Sequence, residues 1–280
     1  MSVNNNHITI IPGYNLSIGI TIFYISFIIL LPLISMSITT SHMTLTQFTA
    51  VIFDKRVLAS FQISIICSLT AAVINCFFGT ILACILVYYK FPGRTIIDSM
   101  IELPFAIPTA VAGISLAALY SPNGYIGKIA ATWGLYPAYS KAGITIALIF
   151  VTIPFVVRTI EPVLQNIDPA FKEAAFTLGA GQFTVIRKII FPEIFPTLLL
   201  SGGLAFARAM GEYGNVIFIA GNMPYKTEIV PLLIMIKLEQ FNYPQATSIA
   251  IVMLLLSFIV MFILNSLQIY YQKIITGGKN

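Results

Sequence analysis

Charge is what this sequence has least of. Of 280 residues only 9% are Asp, Glu, Lys or Arg, against 58% hydrophobic, and the mean hydropathy is +0.93. A soluble domain carries roughly 25% charged residues, so the polar cover of a globular surface is missing and the bilayer must be the solvent. The net charge of +5 is scattered, which argues against nucleic acid as a partner. Only two histidines occur, His7 and His42, far apart and without a neighbouring Cys or Glu pair, so a metal site is not expected. The three cysteines, Cys67, Cys76 and Cys84, share one apolar run, with the first two on opposite helix faces, and read as small buried hydrophobes. There is no G-x-x-x-x-G-K-[ST] loop, since Gly127-Lys128 is followed by Ile129, and ATP is not expected to bind this chain. There is no H-E-x-x-H, and Ser201-Gly202-Gly203 is not a nucleophile elbow, so catalysis is not expected. No cleavable signal peptide is evident, because no Lys or Arg precedes Lys55.

What is present is a series of apolar runs. A spanning helix needs about 20 apolar residues. Leu16–Ile38, a stretch within Leu58–Tyr89, Leu103–Tyr120, Ala142–Val157, Thr197–Ala220 and Gln245–Tyr271 meet or approach that length. Pro104, Pro108 and Gly113 permit a kink in the third. Val230–Ile236 is too short to cross and reads as re-entrant or interfacial. The expectation is an all-α integral membrane protein, a six-span helical bundle forming one domain over residues 1–280. Six spans put both termini on one side. With the termini inside, eight basic residues lie on the inner segments and six on the outer ones. Four of those eight (Arg158, Lys172, Arg187 and Lys188) fall between spans four and five.

That interval, about 158–196, is a long polar stretch. Asp168 suits a helix cap and Pro169 the first helical position. Ala170–Leu178 is rich in helix formers, and Gly179 fits the left-handed residue that ends such a helix. Gln182–Phe191 resumes helical periodicity, with Val185, Ile186, Ile189 and Ile190 on one face. Pro192 and Pro196 punctuate the return to the membrane. One reading is an amphipathic helix on the lipid surface. The Ala-rich face is too small for strong lipid anchoring, which favours a protein partner. A short stiff helix attached to two spans is suited to pass a push into the membrane.

The spacing of Glu173-Ala174-Ala175, Gly179, Ile189 and Phe191-Pro192 resembles the EAA loop of ABC importer permeases, with Phe191 where that pattern usually has Leu. The resemblance implies a coupling helix on the cytoplasmic side that docks on an ATPase subunit, formed by Glu173, Ala174, Ala175 and Gly179, with Ile189 and Pro192 closing the motif. "FARAMGEYGNVIFIAGN", Phe206–Asn222, resembles span five of the sulfate and molybdate permeases. "KTEIVPLLIMIKLEQFNYPQA", Lys226–Ala246, is most similar to the sulfate/thiosulfate branch, to its T or U type of subunit rather than the W type. The resemblance implies a second permease of W type, two ATPase subunits carrying ATP and Mg, and an external or periplasmic sulfate/thiosulfate-binding protein. No cofactor is then expected on this chain. The implied setting is the bacterial inner membrane, with a plastid inner envelope as the alternative. Molybdate or another tetrahedral oxyanion is the competing substrate.

Arg208 and Glu212 stand four apart, on one helix face. A lone charge at membrane depth costs at least ~2.5–3.5 kcal/mol, so these two are expected to pair. They read either as part of the translocation pathway or as a structural pair of span five. Gly203, Ala207 and Gly211 form a small-residue stripe suited to close helix approach. An ion-coupled carrier using Arg208 and Glu212 as a relay is the alternative class, disfavoured by the lack of an inverted repeat.

Overall fold

The computed structural model describes residues 14–275; His7 and Lys279 lie outside the described residues. Every element among the described residues is helical. α1 (Tyr14–Ile25) and α2 (Leu31–Ser41) are joined by a π-helical turn at Ser26–Leu30 into one rod over Leu16–Ser41. The rod is apolar on all sides and touches the bundle chiefly near its end, where the Thr40 hydroxyl donates to Thr247 (2.9 Å). Such an all-round apolar helix is a membrane span. α3 (Leu45–Ile52) opens on a capping box: Thr44 Oγ1 accepts from the Gln47 amide (3.3 Å) and Gln47 Oε1 from the Thr44 amide (3.0 Å). α4 (Lys55–Tyr88) is 34 residues long and is capped by the Asp54 carboxylate, which accepts from the amides of Arg56 and Val57.

The third span, expected over Leu103–Tyr120 with a kink permitted by its prolines, is sharply bent and extends beyond both of those bounds. α5 (Arg94–Ala106) ends at extended Ile107, the residue before a proline being biased out of the helical region. α6 (Thr109–Tyr120) and α7 (Tyr125–Thr132) follow, and the chain over Thr109–Thr132 turns 113° from α5. The kink sits at Pro108; Pro104 stays within α5.

The fourth span runs well past its expected end. α8 (Lys141–Asn166) carries Arg158 and Pro162 inside it, because the Arg158 charge is met by carboxylates and does not end the helix. α9 (Pro169–Thr177) follows as a short separate helix with no buried residue. The fifth span also differs. α10 (Gln182–Val185), a π-helical turn at Ile186–Ile190 and α11 (Phe191–Met210) form one continuous rod, Gln182–Met210. Pro192 and Pro196 lie within it and do not interrupt it. The rod stops at Met210, ten residues short of the Ala220 end expected from the sequence, and α12 (Val216–Ile219) is separate. α13 (Val230–Glu239) has ten residues, about 15 Å, too short to cross, and packs on α4 and α14 (Tyr243–Ile275).

Among the described residues, five helices are long and apolar enough to cross a membrane, six when the bent α5–α7 segment counts as one span. The core is formed where α4, α8 and α11 pack on one another, with α14 against α11. Asn75 Nδ2 donates to the Ile149 carbonyl (3.0 Å) and the Thr152 hydroxyl (2.8 Å), tying α4 to α8 within the apolar interior. Gly79 permits that approach, since a Cβ there would lie 2.9 Å from Val156 Cγ1. Gly203 packs on Leu264 and Met261 of α14, whereas Gly211 is exposed, so the small-residue stripe is only partly a packing face. Cys67 faces the start of α8 and Cys76 faces α11; all three cysteines are free thiols.

Candidate functional site

Local chemistry builds both ends of α9. Asp168 Oδ1 accepts from the Ala170 amide (2.9 Å), and Pro169 occupies the first turn. At the other end Ala180 N donates to Ala175 O (3.0 Å) and Gly179 N to Phe176 O (2.9 Å), with Gly179 at φ +79°. This is a Schellman closure, in which a left-handed glycine lets the chain turn back on the last carbonyls. No residue of α9 is buried. Glu173 and Ala174 are exposed, and Ala175 is half-buried against the core with Ala180 and Ile189.

The motif is divided by the fold. Glu173, Ala174, Ala175 and Gly179 belong to α9 and its closure, whereas Ile189 and Pro192 sit on the root of the long rod. The π-helical turn widens the register there. Val185 and Ile190 are buried, but Ile186, expected on the same face, is 53% exposed. Phe171, Phe176, Leu178, Phe183 and Ile186 present apolar surface around α9, flanked by exposed Arg187 and Lys188. Apolar patches edged by polar residues mark interaction surfaces.

At the opposite end of the bundle, Arg208 Nη1 lies 2.6 Å from Glu212 Oε2. The pair forms as its spacing suggests, but Glu212 lies beyond the helix end. Its other oxygen accepts from the Asn215 amide (3.0 Å), so the carboxylate also organises the turn into α12. Glu212 is buried, while the Arg208 side chain is 34% exposed. α6 presses on this turn: a Cβ on Gly113 would lie 2.5 Å from the Asn215 carbonyl oxygen.

Two charged clusters escape sequence reasoning. Arg56 binds Glu228 with two bonds, Nε to Oε2 (2.7 Å) and Nη2 to Oε1 (2.6 Å), and the Glu228 side chain is fully buried. The partners are 172 residues apart, and no periodicity links them. Arg56 also lines a cavity of about 730 Å³ with His42, Asp54, Tyr225, Lys237 and Gln245. At the α9 end, Arg158 contacts Asp98 (2.7 Å), Glu102 (2.9 Å) and Glu161 (2.8 Å), joining α8 to α5. Only Arg158–Glu161, three apart on one helix, had a local signal.

The described residues thus form a bundle of apolar rods with a capped, exposed helix between two of them and paired charges. The chain belongs to the family of binding-protein-dependent transport system inner membrane components, whose model matches residues 75–275. It is 41% identical over 268 residues to the sulfate transport system permease protein CysT of Salmonella typhimurium strain LT2, covering 96% of this chain and 97% of that one. It is 40% identical to the CysT of Synechocystis (89% and 87% covered). The probable sulfate permease cysT of Marchantia polymorpha is 37% identical (92% and 89%). The fold is similar to a solved bacterial ABC transporter involved in alginate import, with TM-score 0.76 at 15% identity, covering 91% of this chain and 95% of that one. A MetNI methionine ABC transporter chain aligns at TM-score 0.54 and 16% identity (78% and 99%).

Proposed function

We propose that this chain is a permease subunit of an ATP-driven sulfate/thiosulfate importer. It would form half of the translocation pathway and couple to a separate ATPase through α9. The similarity to sulfate permeases over nearly the whole of both chains carries the substrate reading. The helix ends and exposed apolar rim of α9 support its docking role. The partners are a second permease of W type, two ATPase subunits and an external binding protein. ATP and Mg reside on the ATPase, and no cofactor is assigned to this chain. The setting is the bacterial inner membrane; a plastid inner envelope is the alternative, with the Marchantia polymorpha relative beside it.

The mechanical part follows from rigidity. α9 is linked by short turns to α8 and to the Gln182–Met210 rod, so its displacement is transmitted to two core helices. Closure of the ATPase dimer on ATP would move α9 and reorient the spans. The binding protein would then release its anion between the two permeases, and hydrolysis would reset the complex. Labelled sulfate uptake tests the reading in cells that lack the chain and have it restored with its partners. Competition by thiosulfate but not molybdate is expected. Block by molybdate moves the substrate to another oxyanion.

Arg208 is proposed to meet the passing anion. A guanidinium has five N–H donors. One nitrogen faces Glu212, and the exposed side of the group is open to a tetrahedral dianion. The pairing weakens its hold, which suits transit rather than storage. Arg208→Gln is expected to cut uptake more than about tenfold, a loss near 1.4 kcal/mol. Adding Glu212→Gln, which removes the unpaired buried carboxylate, leaves uptake low. Recovery in the double variant would make the pair purely structural.

A further inference from the structure

α9 has no buried residue of its own, and its flanking turns are extended at Ile167 (ψ 116°) and left-handed at Gly179. These turns join it to α8 and to the Gln182–Met210 rod but not to α4, the third core helix. A directed contact supplies that link. The Lys172 ammonium lies 3.8 Å from the centroid of the Tyr88 ring, on the last residue of α4. The Tyr88 hydroxyl in turn donates to the Leu164 carbonyl of α8 (3.3 Å), so the ring lies at the end of α4 beside α8. Lys172 has no carboxylate within 4 Å among the described residues, so its directed partner is the ring.

We propose that the Lys172–Tyr88 contact is the strut through which movement of α9 reaches α4, and that both are positioning residues for energy coupling. This rests on the reading of α9 as the ATPase-docking helix. The attraction of a cation to a ring face is strongest with the charge over the ring and within about 6 Å of it. It therefore holds α9 at one tilt against the end of α4, while exposed Glu173 and Ala174 remain available to a partner. Without the strut, a push on α9 would still reach α8 and the Gln182–Met210 rod through its end turns, but part of it would be lost as tilt of α9 about them. α8 and the Gln182–Met210 rod would move less completely with α4, although the three pack as one core.

The test uses the assembled complex in vesicles, with binding protein and sulfate outside, and reads sulfate moved per ATP hydrolysed together with ATPase retained on purification. Tyr88→Phe keeps the ring face and removes the hydroxyl; Tyr88→Leu removes the face. Lys172→Arg keeps the cation and Lys172→Met removes it. Tyr88→Leu and Lys172→Met are expected to lower the ratio about fivefold or more with ATPase retention unchanged, while Tyr88→Phe and Lys172→Arg stay within about twofold of the parent and the Leu/Met double is no worse than either single. Parental ratios in Leu and Met, equal damage from Phe and Leu, or loss of the ATPase from the variants would each overturn the strut. A parent complex that does not retain an ATPase would instead overturn the docking reading of α9, and the strut with it.

Discussion

Replacing Gly179 by aspartate is expected to abolish the proposed sulfate uptake while the chain still inserts at parental levels. Gly179 holds φ +79° and its amide closes the last turn of α9. A non-glycine residue in this left-handed conformation costs roughly 1–2 kcal/mol, too little to undo a bundle built on long packed rods. Among the described residues, no atom apart from those of its two chain neighbours lies within 4 Å of a Cβ at this position. Within the chain there is therefore room for a side chain, and a large loss must come from a partner packed on this corner. Alanine, with the same backbone strain but no charge, is expected to reduce uptake only a few-fold. Uptake and membrane-fraction levels of the two variants decide the matter. An aspartate variant that transports normally would remove the docking role from α9.

Arg56→Met is expected to destabilise the folded chain far more than a surface charge deletion does. The Glu228 carboxylate is fully buried and takes two bonds from Arg56; the next donor is the Ser60 hydroxyl at 3.4 Å. Removing Arg56 strands the buried Glu228 charge; a fully buried pair would lose about 3–5 kcal/mol, and the 31% exposure of the Arg56 side chain places the cost below that range, still a sizeable share of the roughly 5–15 kcal/mol that stabilises a typical fold. The thermal midpoint of the purified protein should drop sharply, with lower levels in the membrane. Replacing both partners, Arg56→Met with Glu228→Leu, should recover most of the loss, because an apolar pair of similar volume strands no charge. A midpoint unmoved by Arg56→Met would show that the bidentate contact does not hold α4 to the segment before α13.

The ends of α9 were legible because they are local events. Asp168-Pro169 and Gly179 act within a few residues of themselves, through a cap and a left-handed closure. Arg208 and Glu212 were legible as a pair for the same reason, a separation of one helical turn. The end of the helix between them was not, since what draws Glu212 into the next turn is a bond to the Asn215 amide. Pro192 and Pro196 looked like breaks, yet the rod continues through them after a π-helical turn, with Ile194 and Pro196 buried in the packed bundle. Arg158 looked like the edge of a span until Asp98 and Glu102 arrived from α5 to meet its charge.

Composition and local spacing by themselves determined a membrane-embedded helical bundle, its approximate spans and the short capped helix between the fourth and fifth. Those features depend on solvent preference and on bonds within a turn or two. Pro108 allowed a kink in the third span, but tertiary structure alone decided its 113° angle, the unbroken rod from Gln182 to Met210 and the Arg56–Glu228 pair. Each depends on groups brought together from distant parts of the chain, where the alternative to a partner is a buried charge or a helix end left without one.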